Sequence, residues 1–150
     1  MQILRRKNLT GVVGLMAAAL AAGVLTMPGQ AHAAEAAYWT VDCDKTPATG
    51  DPGAHDMIAM IYKTGDPNKG AISSFHAAGE TLTIRNWSGA MMRFKIQWAN
   101  AAGNRIEKTW EYNLGTGGSQ THTFNIPEGR KVYTSVGTPG GSTAYCNGIS

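Results

Sequence analysis

The side chains of this chain that could do chemistry are few and scattered. His55 and Asp56 stand together with Asp51 just before them, and an imidazole beside carboxylates is the smallest set for a general base or a metal site. A base also needs a nucleophile or a substrate proton within reach, and no companion motif supplies one. The surrounding Pro47, Gly50, Asp51, Pro52 and Gly53 mark residues 44–56 as a loop in which Asp shapes turns. Asp42 and Asp44 could offer oxygens to calcium, but the spacing of a calcium loop is missing. His76 and His122 are isolated and read as surface positions. Nucleophile-elbow, zinc-protease and phosphate-loop patterns do not occur, and nothing selects two carboxylates for glycoside hydrolysis. No catalytic residue, metal or cofactor is therefore expected. Asn86-Trp87-Ser88 has the form of a glycosylation sequon, which matters only on a eukaryotic secretory route.

Cys43 and Cys146 are the remaining reactive pair, and the residues ahead of them set their redox state. Arg5, Arg6 and Lys7 precede an apolar run from Gly11 to Met27, followed by Ala31-His32-Ala33. That order predicts a secretory signal peptide over residues 1–33, cut after Ala33 or Ala34, and an extracellular protein. The run lacks the length and flanks of a stable membrane span. In an oxidising compartment two cysteines pair. The bridge closes a loop of about 100 residues, worth roughly 4–5 kcal/mol in the chain-entropy picture. It also requires the first and last strands to be neighbours.

Charge excludes one class of partner. The chain has 13 Lys and Arg against 10 Asp and Glu, but three of the cations belong to the leader, so residues 34–150 carry no net formal charge. The cations are also dispersed, whereas a nucleic-acid surface needs them clustered. Residues 34–150 are the length of one domain with a single core.

The elements that must position these residues read as strands. Period-2 alternation dominates and helical periodicity is nearly absent. Trp39, Val41 and Cys43 share a face, and Met57–Lys63 is a short apolar run. Gly65–Gly70 reads as a turn, while Ala71–Phe75 and Glu80–Asn86 read as strands, the latter with Leu82 and Ile84 inward. In Met91–Ala99, residues Met92, Phe94, Ile96 and Trp98 oppose Arg93, Lys95 and Gln97. In Arg105–Asn113, Ile106, Trp110 and Tyr112 face in. Gln120–Ile126, Lys131–Gly137 and a last strand ending at Cys146 follow. About eight short strands separated by turns predict an all-β fold, an antiparallel β-sandwich with one disulfide. Register further predicts a hairpin with Trp87-Ser88-Gly89 as its three-residue loop, pairing Ile84 with Met92 and leaving Gly89 left-handed. Trp87 would then stand at a loop tip, where a large aromatic is a contact candidate. Trp98 and Trp110 would be core residues, and Trp39 would pack by the disulfide.

Three stretches carry a family pattern. Trp87-Ser88-Gly89-Ala90-Met91-Met92-Arg93-Phe94-Lys95-Ile96-Gln97-Trp98, then Lys108-Thr109-Trp110, then Thr121-His122-Thr123-Phe124-Asn125-Ile126-Pro127 resemble the C-terminal β-sandwich of thiol-activated (cholesterol-dependent) cytolysins. The resemblance covers roughly the central third of the chain. It implies a sandwich whose loops bind a membrane at one tip, with contacts at Trp87, Ser88, Gly89 and Ala90. The family's Trp-rich loop and its sterol-recognising Thr-Leu pair are missing, which removes the basis for sterol specificity. The pore-forming domains are absent. The expected function is a secreted, non-enzymatic binding module whose loop tips contact a membrane, glycan or protein surface. The alternatives are a protease inhibitor or extracellular structural protein, and a small secreted hydrolase using His55 with a carboxylate.

Overall fold

A computed structural model describes residues 38–150; the leader predicted over residues 1–33 lies outside the described residues. Nine strands follow in chain order: β1 (Trp39–Pro47), β2 (His55–Lys63), β3 (Asp66–His76), β4 (Thr81–Asn86), β5 (Met92–Ala99), β6 (Ile106–Leu114), β7 (Ser119–Thr123), β8 (Lys131–Gly137) and β9 (Thr143–Ile149). They form two sheets, ordered β1-β2-β3-β4-β7 and β6-β5-β8-β9. All pairings are antiparallel. The described chain is an all-β sandwich.

Alternation explains the core. Met57, Ala59 and Ile61 of β2, Phe75 of β3 and Leu82 and Ile84 of β4 are buried. They meet Met92, Phe94 and Ile96 of β5 and Val132 and Val136 of β8 from the other sheet. One polar contact crosses this interior: the Ser73 and Thr134 hydroxyls lie 2.6 Å apart, both fully buried. Each satisfies the other, which is the condition for leaving a hydroxyl in an apolar core.

Both open edges of the sandwich are closed, by different means. On one side Cys43 of β1 is bonded to Cys146 of β9, with Cα atoms 5.3 Å apart, so the first and last strands are neighbours in opposite sheets. On the other side β6 and β7 are bridged by rings. Trp110 stacks on Tyr112 with centroids 5.6 Å apart and lies 4.5 Å from the His122 ring. Phe124 meets both Trp110 and Trp98 edge-on.

The structure corrects the strand reading in several places, and the last strand runs past Cys146 to Ile149 while β7 stops at Thr123. The 44–56 loop is shorter, since β1 runs to Pro47 and β2 starts at His55. The Gly65–Gly70 turn is only Thr64–Gly65. Beyond it β3 begins, with a bulge where Tyr62 pairs Gly70 but Lys63 pairs Asp66. Residues 67–69 bulge out opposite no residue of β2, so Pro67, which has no donor to give, is tolerated there. The expected hairpin does not form: Ile84 pairs with Ser73 and Gln120, Met92 with Leu114. Residues 87–91 instead cross between sheets, and the apolar faces of β4 and β5 meet across the core. Ile106 is 41% exposed, because the irregularity at Trp98/Ala99 sets it opposite Ala99 and turns it from the core. Val41 is 47% exposed, since β1 is an edge strand with a partner on one side only.

Candidate functional site

The loop singled out from the sequence is built on one residue. Asn86 ends β4 and is buried. Its Nδ2 donates to the carbonyl oxygens of Ala90 (2.8 Å) and Leu114 (2.7 Å). Its Oδ1 accepts from the Ser88 amide (2.9 Å) and the Ser88 hydroxyl (2.7 Å). The backbone of Asn86 donates to Gly118 (3.0 Å) and accepts from Gly117 (2.7 Å). A single carboxamide thus uses its full hydrogen-bonding capacity and fastens both connections, 87–91 and 115–118, by which the chain changes sheets. Thr116 adds a bond to the Ala90 carbonyl (3.2 Å). In the folded chain the Nδ2 of the Asn86-Trp87-Ser88 sequon is buried and spent on these two bonds, so a glycan there would cost both.

The four predicted contact residues have different surroundings. The Trp87 amide donates to the Gly70 carbonyl (2.8 Å), and its half-buried ring covers Gly70, where an added Cβ would lie 3.2 Å from the indole Cζ2. Ser88 is buried, and its hydroxyl, whose one proton goes to Asn86 Oδ1, accepts from the Ala90 amide (3.2 Å) and lies 3.0 Å from the Ala90 carbonyl oxygen. It shapes the loop and is out of reach of a ligand. Gly89 takes φ 86°, the left-handed region that its missing Cβ permits. Gly89 and Ala90 are exposed. Beside them Met91 is 56% exposed, which sequence reasoning missed by counting it as an ordinary strand residue. Strand directions place the Thr64–Gly65 turn, the 138–142 turn and Tyr38 at this same end of the sandwich. Tyr38 is exposed, with Lys63 Nζ 4.4 Å above its ring.

The titratable groups do not converge on a reaction centre. His55 and Asp56 are consecutive on β2 and so project to opposite faces. Asp56 accepts from the Ala77 amide (2.9 Å) and lies 3.3 Å from His76 Nδ1. His122, expected as an isolated surface residue, belongs to the ring cluster, with Nε2 3.1 Å from Gln120 Oε1. Gln120 in turn donates to the Tyr112 hydroxyl (2.7 Å). Trp98 and Trp110, expected in the core, are half-buried and pack against it: Trp110 lies on β6, which terminates its sheet, and Trp98 lies near the end of β5 against Phe124. Among the described residues no group of three or more His, Cys, Asp or Glu could hold a metal ion. Burial raises the Tyr145 hydroxyl above its ordinary pKa, and the neighbouring Tyr133 adds to the shift.

What fold and site define is a disulfide-bonded β-sandwich domain with a braced, partly apolar loop end. Comparison with family models, curated proteins and solved structures finds no match in any of the three.

Proposed function

We propose that this protein is a secreted, non-enzymatic binding module that meets a membrane, glycan or protein surface with the loops at one end of its sandwich. The observation that carries this reading is Met91, a large apolar side chain held in solvent on a loop that Asn86 braces from within. A braced loop loses little conformational freedom on binding, which leaves more of the contact energy as affinity. Trp87 beside it offers the exposed part of an indole. The resemblance of this stretch to the cytolysin sandwich supports the same end as the contact surface. Export agrees with the disulfide, and no described helix is long and apolar enough to cross a membrane.

Tryptophan fluorescence and co-sedimentation with liposomes, insoluble polysaccharides and cell-wall material test it. A blue shift or co-sedimentation that falls about tenfold in Met91→Ser or Trp87→Ala is expected, the order lost with one large apolar contact. Absence of binding to every surface, or binding unchanged in both variants, would sink the proposal.

A further inference from the structure

A second surface lies on the outer face of the β6-β5-β8-β9 sheet, centred on the strands rather than on the loops. Tyr133 of β8 and Tyr145 of β9 stack there, with ring centroids 5.8 Å apart and planes 23° from parallel. Tyr145 is 51% exposed. In register Tyr133 stands opposite Asn147 and Gln97, and Tyr145 opposite Ser135. A pair of rings ringed by hydroxyl and amide groups is an unusual thing to leave in water, since exposed large apolar groups mark contact sites.

Tyr133 lines one cleft and Tyr145 another, and a further cleft lies along β8 toward the 138–142 turn. One of about 330 Å³ is lined by Tyr133, His55, Lys45 and Lys131. A second of about 210 Å³ is lined by Ser135, Lys95 and Arg93. A third, also about 210 Å³, lies between Tyr145 and the Val41–Cys43 segment of β1. Cations therefore flank the rings at both ends of β8. Glu111 lies within ion-pair range of Lys95 (3.3 Å) and Arg93 (3.6 Å), and Asp42 borders the third cleft. Lys45 and Lys131 have no carboxylate in such range among the described residues. Cations outnumber carboxylates along the strip.

We propose that this face binds an acidic polysaccharide, a chain of sugar rings carrying carboxylate or sulfate groups. A sugar ring presents a face of C–H bonds that stacks on a tyrosine ring, and a rim of hydroxyls that suits Gln97, Asn147 and Ser135. Its acidic groups match the lysines beyond the rings. Ser135 to Lys131 spans about 13 Å at the strand rise, room for two to three sugar units. This site is independent of the loop-end reading and stands or falls separately.

The test is titration of the oxidised protein with galacturonan, alginate, hyaluronan and heparin oligosaccharides. Neutral cello-oligosaccharides and polyglutamate serve as comparisons. The expected result is binding to at least one acidic glycan, weakened about tenfold or more by Tyr145→Ala, weakened by Lys45→Ala with Lys131→Ala, and unchanged by Met91→Ser. Tenfold corresponds to about 1.4 kcal/mol. Added salt should weaken binding, since these charges are solvent-exposed. No binding to any acidic glycan overturns the proposal. So does equal affinity for polyglutamate, or affinity unchanged in a Tyr145→Ala protein whose circular dichroism matches the parent.

Discussion

Asn86 and the Ser73–Thr134 pair show how a few polar atoms inside this protein decide geometry that apolar packing leaves open. Leu82, Ile84, Met92 and Phe94 tolerate exchange among hydrophobes of similar volume, whereas Asn86 has no isosteric substitute with its donor pattern. Asn86→Asp sets a carboxylate against the Ala90 and Leu114 carbonyl oxygens, and Asn86→Ala removes four hydrogen bonds at once. Either change should cost about 2–4 kcal/mol, read as a drop in the urea midpoint. The core hydroxyls offer a sharper comparison. Ser73→Ala alone orphans the Thr134 hydroxyl and should destabilise by about 1–3 kcal/mol. The Ser73→Ala/Thr134→Val double variant removes both polar groups and should recover most of that loss. A double-mutant cycle measures the difference, and additive losses would show that the pair is not coupled.

At the scale of elements, the chain spends its special features on the sandwich edges. β1 is an edge strand with little of its surface covered, and its tie to β9 is the Cys43–Cys146 bond. Replacing both cysteines by serine should lower stability by about 2–5 kcal/mol and release β1 amides to hydrogen exchange ahead of β2 and β8. Exchange of β1 unchanged by the substitution would mean that β2 alone holds it. The β6–β7 edge has no such bond and relies on stacked rings, each pair worth about 0.5–1.5 kcal/mol beyond its buried area. Arg130 supports the same region by bonding both the Ala99 carbonyl (3.2 Å) and Glu107 (3.1 Å), which pins the bulged start of β6 to the β7–β8 connection.

For the molecule as a whole, one hydrophobic cluster draws on both sheets, so neither sheet has a core of its own. Urea unfolding of the oxidised protein should therefore be a single transition, with tryptophan fluorescence and far-ultraviolet circular dichroism superimposing. Separate midpoints would show that the ring-closed edge opens on its own. Refolding should be slow for the size of the chain, in milliseconds to seconds, because closing the sandwich needs two long-range pairings besides the five between consecutive strands. β7 joins β4 across β5 and β6, and β8 joins β5 across β6 and β7. The two proposed surfaces follow from the same architecture: a loop end where the chain changes sheets, and a flat outer sheet face exposed on its other side.

By itself the sequence determined what depends on near neighbours along the chain. Period-2 alternation made the chain all-β and assigned Leu82, Ile84, Met92, Phe94 and Ile96 to the core, all of them fully buried. Its two cysteines implied the bridge, and the glycine at 89 the left-handed turn. Only the tertiary structure decided which strand lies beside which. Alternation says that two apolar faces must meet, and that is satisfied equally by a hairpin in one sheet or by strands facing each other across a core. In the arrangement that forms, the Asn86 carboxamide bonds Ala90 and Leu114 at once, a contact between atoms as far as 28 residues apart that local alternation does not encode. Edge position likewise belongs to the assembled sheets, and it exposes Val41 and half-buries Trp110, while the register of β8 on β9 brings Tyr133 and Tyr145 together on one surface.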